Sequence, residues 1–194
     1  MGIDLFIAQR VRSLRATRGL SLEQLAGLSG VSKSMISLIE RGETSPTAAV
    51  LNKLADALGI SLPALFSGEP ESAALPVSRP ADQKVWTDPQ SGYVRRNLSP
   101  TGVASPIELV EVLFPPGKSV TFENATRSIA THQQMWVLEG EMTVSLGDET
   151  WSLQEGDCLA MVLGQQLVFH NPSRNPARYV LALTTLPAAA RTSQ

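Results

Sequence analysis

The stretch from Ser21 to Gly42, SLEQLAGLSGVSKSMISLIERG, constrains this chain more than any other. Two short amphipathic helices flank a tight corner, and each small or branched residue has a geometric reason. Ala26 lies where one helix crosses the next, and a larger side chain there would force them apart. Gly30 supplies the left-handed backbone that ends the first helix. Val31 plugs the corner, and Ser32 caps the helix that follows. Ile36 and Ile39 face inward, which leaves Ser34, Ser37, Leu38 and Arg41 pointing out. A short helix with a polar outer face, held at a fixed angle, fits a DNA major groove. The plainer reading, two helices of some small helical domain, would suffice for Ala26 and Gly30 alone but not for the whole run.

The rest of the first third is also helical. Asp4 to Arg18 carries an apolar stripe of Leu5, Ile7, Ala8, Val11 and Leu14, and Gly19 ends it. Ser45-Pro46 is expected to open a fourth helix through Leu51, Leu54 and Leu58, and Leu62–Phe66 a short fifth. From Gly68 to about Pro89, Pro70, Pro76, Pro80 and Pro89 interrupt the text, which reads as a linker whose later part can pair as an edge strand. From Tyr93 onward the pattern is β. Runs at Ile107–Phe114, Gln134–Leu138, Glu141–Leu146, Trp151–Leu153, Cys158–Val162, Gln166–Phe169 and Arg178–Thr185 are separated by turn signals such as Pro115-Pro116-Gly117 and Glu155-Gly156-Asp157. Many short strands at even spacing imply an antiparallel sandwich or barrel. The expected division is 1–67 helical, 68–90 linker, 91–187 barrel and 188–194 tail.

Charge follows the same division. Residues 1–68 hold seven Lys/Arg and five Asp/Glu, net +2; residues 69–194 hold nine and thirteen, net −4, and the sum is the chain's −2. The basic excess lies in the helical part, but +2 is a small electrostatic footprint, so DNA affinity is expected to lean on dimerisation. The N-terminus lacks a signal-peptide pattern and no apolar run nears the ~20 residues of a membrane span. The single cysteine, Cys158, leaves no internal disulfide framework and fits a cytoplasmic protein. It reads as a small buried hydrophobe.

With these residues in view, the first 66 resemble the XRE family of helix-turn-helix transcriptional regulators, with the five-helix, lambda-repressor-like domain; VSKSMISLIERGETSPT carries the likeness to the recognition helix. The resemblance implies base contacts at Lys33, Ser34, Ser37 and Leu38, and phosphate contacts at Ser21, Arg41, Thr44 and Ser45. It also implies a structural pair between Arg15 and Glu40. Leu38 stands where the family commonly has Arg or Gln, and there it would meet a thymine methyl. Leu22 replaces a common polar phosphate contact.

Residues from about 93 to 186 resemble the cupin superfamily of jelly-roll β-barrels, through Val137-Leu138-Glu139-Gly140 and through Gly156, Gly164 and Asn171 at the spacing of the second motif. Cupin metal sites use three imidazoles and a carboxylate. The corresponding positions hold Gln133, Leu167 and either Arg127 with Ile129 or Thr126 with Ser128, so no metal site and no cofactor are expected. His132 and His170 each fall one residue away, which in a strand turns them to the opposite face. Parity instead puts Gln133, Met135, Leu167 and Phe169 inside, with Arg127, either as a filled core without a ligand or as an effector pocket. Trp136 belongs to the wall or to the opposite face.

Together the two resemblances imply a non-enzymatic, cytoplasmic, sequence-specific regulator that binds a palindromic double-stranded operator as a homodimer. The barrel then dimerises, senses a small molecule, or both. Two alternatives stay open: a metal-dependent enzyme barrel fused to a DNA-binding domain, and an antitoxin-like module that holds a protein partner.

Overall fold

The computed structural model describes residues 2–67, 75–103, 105–123 and 129–187. The expected tail, Arg127 and the first part of the expected linker therefore lie outside the described residues. The helical part comprises α1 (Ile3–Thr17), α2 (Leu22–Ser29), α3 (Lys33–Glu40) and α4 (Ala48–Ala57), followed by a single 3-10 turn at Pro63–Leu65. The expected fifth helix is thus only that turn, and the domain has four α-helices among the described residues.

Local chemistry sets the ends. Ser21 and Gln24 form a reciprocal capping box at the head of α2, and Gly30 closes that helix at φ +67°. Ser32 caps α3 through the Met35 N–H. The start of α4 differs from expectation: Thr47 accepts from the Val50 N–H, and Ser45 instead donates to Asp4 Oδ1 at 3.0 Å. Helix α4 starts later because the Ala48 N–H is taken by a carboxylate from the barrel, described below. Ile7, Val11, Leu25, Ile36, Ile39, Leu51 and Leu54 fill the core between the helices. Gly42 turns the chain out of α3 at φ +70°, a left-handed backbone that favours glycine, and a Cβ there would also press on the Leu5 side chain of α1.

Ten strands follow among the described residues: β1 (Val85–Thr87), β2 (Val94–Asn97), β3 (Ile107–Phe114), β4 (Ser119–Phe122), β5 (Ile129–Glu139), β6 (Met142–Leu146), β7 (Glu149–Leu153), β8 (Cys158–Leu163), β9 (Leu167–His170) and β10 (Ala177–Pro187). They pair antiparallel into a six-stranded sheet, β1-β2-β3-β10-β5-β8, and a four-stranded sheet, β4-β9-β6-β7. This is the jelly-roll barrel that the cupin likeness implies. Strand β1 is the edge strand expected at the end of the linker text. Strands β2 and β4 are too short and polar to stand out in the sequence.

Side chains alternate as strand geometry requires. Along β5, Thr131, Gln133, Met135 and Val137 are buried, while His132, Gln134 and Trp136 are exposed. Trp136 is therefore on the outer face, 52% exposed. Cys158 is exposed on edge strand β8, contrary to the buried hydrophobe expected from composition.

The barrel core is continuous with the helical domain. An aromatic chain begins at Phe66, just past the 3-10 turn, and reaches Trp86 at 5.6 Å, Tyr93 at 5.9 Å and Phe114 at 5.7 Å between ring centroids. It continues to Tyr179 at 6.4 Å, Phe169 at 5.9 Å and Phe122 at 6.1 Å. Such offset and edge contacts add to plain area burial. Polar bonds reinforce the junction: Asn97 Nδ2 donates to the Pro63 carbonyl at 3.4 Å, and Ser61 Oγ donates to Glu108 Oε2 at 2.5 Å. The Lys84 ammonium sits 3.2 Å from the centroid of the Phe6 ring.

Candidate nucleic-acid interface and barrel cavity

Helix α3 is held from behind by Ile36 and Ile39, both buried, and by a bidentate ion pair. Arg15 Nε lies 2.6 Å from Glu40 Oε1 and Nη2 lies 2.7 Å from Oε2, and Nη1 donates to the Leu20 carbonyl at 2.8 Å. The fork fixes α3 against α1 and the turn before α2, as the family likeness implies for these two residues. Glu40 accordingly raises the Arg15 guanidinium above its ordinary value.

The opposite side of α3 faces outward. Ser32, Lys33, Ser34 and Met35 are exposed, and Ser37 and Leu38 half-buried, as is Thr44; Arg41 and Ser45 are exposed beyond the helix end. Lys33 pairs with Glu23, which ties the head of α3 to α2 and holds the Glu23 carboxyl below its usual range. Arg41 donates from Nε and Nη2 to the Glu43 carboxylate at 2.7 and 2.8 Å, and from Nη1 to Ser37 Oγ at 2.5 Å. Both outward cations are therefore already paired to surface carboxylates. Exposed pairs of this kind are weak and salt-screened, so a phosphate can displace the carboxylate. Ser21 accepts from the Gln24 N–H at 3.1 Å, which leaves its own O–H as a donor.

A second feature lies inside the barrel. A cavity of about 50 Å³, counted as space open to the centre of a water molecule, is lined by Gln133, Leu167 and Phe169 of the expected pocket. Met135 is fully buried but does not line it. The walls add Tyr93, Arg95, Thr131 and Tyr179, and the roof is Asn52, Ser61, Leu62 and Pro63 of the helical domain. Burial pushes the Tyr93 hydroxyl up to about 12 and Tyr179 well above its ordinary value, so both are neutral donors.

Arg95 was not foreseen, although a strand reading Val-Arg-Arg-Asn must turn one arginine inward. Arg95 is only 4% exposed while Arg96 is half-buried on the outer face. The Arg95 Nε reaches Asn97 Oδ1 at 3.4 Å, its guanidinium lies 5.1 Å from the Phe66 ring centroid, and its Nη2 has no hydrogen-bond partner among the described residues. Desolvation lowers its affinity for its proton, against the opposing influence of Tyr93 and Glu108. The two histidines lie elsewhere. His132 is exposed, and His170 Nδ1 is 2.8 Å from Ser119 Oγ at the surface.

The outer face of the six-stranded sheet mixes large apolar side chains with an ion-pair network in which Glu111 meets Arg96 and Arg178, and Arg178 meets Glu139. Ile107, Leu109, Leu113, Trp136 and Val162 are each at least 38% exposed there. Strand register sets Leu109, Ala182, Gln134 and Ala160 in one row across β3, β10, β5 and β8, and Glu111, Val180, Trp136 and Cys158 in the next. A groove of about 490 Å³ runs along this face past Ile107, His132 and Val162.

Comparison with known proteins bears on both parts. Residues 11–65 match the helix-turn-helix family. The HTH-type transcriptional regulator SutR of Escherichia coli K12 is 42% identical over 78 residues, which span 40% of this chain and 43% of that regulator, so less than half of its length is matched. The HTH-type transcriptional regulator PuuR of the same organism is 29% identical over 181 residues, 91% of this chain and 93% of its own. The crystal structure of an HTH_3 family transcriptional regulator from Vibrio cholerae superposes with a TM-score of 0.74 at 27% identity, over 94% of this chain and 96% of that one. No described helix is long and apolar enough to cross a membrane.

Proposed function

We propose that this chain, which carries an XRE-type helix-turn-helix domain and resembles transcriptional regulators along most of its length, grips a palindromic operator as a homodimer and answers to a small molecule held in its barrel. The observation that carries the DNA assignment is the outward face of α3, rigidly backed by the Arg15–Glu40 fork. On this reading Lys33, Ser34, Ser37 and Leu38 meet base edges. Ser21, Arg41, Thr44 and Ser45 meet phosphates. Leu38 and the small serines suit an A·T-rich major groove, where the thymine methyl is the apolar feature.

The dimer reading rests on the large apolar side chains exposed on the outer face of the six-stranded sheet, beside its Arg96–Glu111–Arg178–Glu139 ion pairs, which a second copy of this chain would cover. A patch with Trp136 and Val162 both half exposed is a liability on a monomer and a natural interface core. A domain carrying only +2 also needs two half-sites for useful affinity. The named relatives are transcriptional regulators, which favours a binding protein over an enzyme. The cavity, roofed by the DNA-binding domain, supports effector sensing.

Footprinting on the DNA upstream of the protein's own coding sequence tests the proposal. The expected protection covers two inverted half-sites with centres about 10–10.5 base pairs apart, or a multiple of that. Protection of one isolated half-site, or of no upstream sequence, would contradict it.

A further inference from the structure

We infer that the barrel cavity binds a small monocarboxylate through Arg95, and that this ligand bridges the barrel to the DNA-binding domain. The inference rests on the sensor reading and names the chemistry of its ligand.

Arg95 is the reason. Burying a guanidinium is unfavourable unless its charge and its donors are met. Here Arg95 lines the cavity, is 4% exposed, and leaves Nη2 without a partner among the described residues. Its contact with Asn97 is long, at 3.4 Å. Tyr93 also hydrogen-bonds to it, while Glu108, an acid whose charge acts on Arg95, is engaged by Ser61 through a 2.5 Å hydrogen bond and makes no ion pair with the guanidinium. A guanidinium so placed is matched by an anion entering the cavity, with charge-assisted hydrogen bonds to the free nitrogen.

The surroundings narrow the anion. One buried cation balances one negative charge, so a carboxylate fits better than a doubly charged phosphate. Gln133 and the neutral hydroxyls of Tyr93 and Tyr179 offer further hydrogen bonds to its oxygens. Leu167, Phe169 and Leu183 add apolar lining that a hydrocarbon tail can contact. At about 50 Å³ the space holds on the order of four waters, which limits the ligand to an acid of a few carbons.

The same geometry says why such a ligand would matter. Asn52 and Ser61 to Pro63 form the roof, and all four belong to the DNA-binding part of the chain. Arg95 also stacks on Phe66 of that part. A ligand touching both walls binds the docked arrangement better than a separated one, so occupancy and the setting of α3 relative to the barrel are linked.

The test uses the full chain and three matched probe series: acetate, propionate and butyrate; their amides; and the amines of the same length. Thermal shift and titration calorimetry should show at least one acid stabilising the protein while its amide and amine do not. Arg95→Gln should weaken that acid by about 10-fold or more, and Arg95→Lys, which keeps the charge, should bind it with an intermediate loss. The Lys variant also keeps the test decisive if the Gln variant does not fold. Equal binding of acid and amide, or unchanged acid affinity in Arg95→Gln, would overturn the inference. Binding of amides or amines alone would overturn it while leaving the sensor reading standing. No binding in any of the three series would overturn both.

Discussion

The Asp88 carboxylate, at the end of the first barrel strand, accepts a 2.8 Å hydrogen bond from the backbone N–H of Ala48, the first residue of α4. Its other oxygen accepts from the Ser91 N–H at 2.7 Å and the Ser91 hydroxyl at 2.6 Å. A residue of the barrel thus caps a helix of the DNA-binding domain, with an anion at the positive end of the helix dipole. The two parts of the chain are joined at the level of secondary structure, not merely tethered.

Asp88→Ala should therefore cost about 1–3 kcal/mol, since it strips acceptors from buried N–H groups at both ends of the contact. Asp88→Asn, which keeps one oxygen, should fall between. Thermal or urea unfolding reads the difference. A loss no larger than that of an exposed surface substitution would mean that the cap contributes nothing to the junction.

The Arg15–Glu40 fork makes a parallel prediction within the helical domain. Glu40 is 7% exposed at its side chain and Arg15 17%. Glu40→Ala leaves a largely buried guanidinium without its partner and should destabilise by about 2 kcal/mol. Lys33→Ala, which breaks an exposed pair, should leave the unfolding midpoint nearly unchanged. Equal effects of the two substitutions would contradict the distinction between scaffold and DNA face.

Glu108 gives the junction a pH dependence of definite sign. Burial raises its carboxyl above the ordinary value, with the Ser61 hydrogen bond and the Arg95 charge opposing but not cancelling that rise. The folded state thus holds the proton more tightly than the unfolded state. The stability from this group is fully present below the ordinary carboxylate value and is lost as pH rises through the raised folded value. Urea unfolding of wild type and Glu108→Gln across pH 4–7 should show the wild type falling relative to the variant as pH increases. The reverse slope would mean that Arg95, not burial, governs Glu108.

The outer sheet face yields a prediction about assembly. Trp136→Glu should convert a dimer into a monomer in sedimentation equilibrium, and with it weaken operator binding by about 100-fold or more, as the second half-site is lost. Cys158, exposed one position across from Trp136, supplies a second readout. Its alkylation should be slow in the wild type and fast in the variant. A wild type that sediments as a monomer would remove the interface.

How much of this could be read from the sequence depended on the range of the interactions. Helix α3 and its caps were legible because Ser21, Gly30 and Ser32 act on residues two to four positions away. Interior positions Gln133, Leu167 and Phe169 were legible from strand parity. Arg95 was not, because an inward arginine on a four-residue strand makes sense only beside a cavity that residues from seven strands and two helical segments build together. The start of α4 was misplaced for the same reason. Ser45-Pro46 is a good local signal, but Asp88, forty residues away, settles where the helix begins. Cys158 failed differently: burial follows from place in a sheet, and edge strand β8 has a neighbour on one side only.

The central claim is that the outward face of α3 reads DNA. Fluorescence anisotropy of a labelled palindromic duplex from the protein's own upstream region tests it most directly, with wild type, Ser34→Glu and Arg41→Glu titrated at two salt concentrations. Each variant should bind about 100-fold more weakly, because the proposed dimer would carry the change twice, and Arg41→Glu should also reduce the salt slope by about two. Binding by both variants within about twofold of wild type would contradict the account.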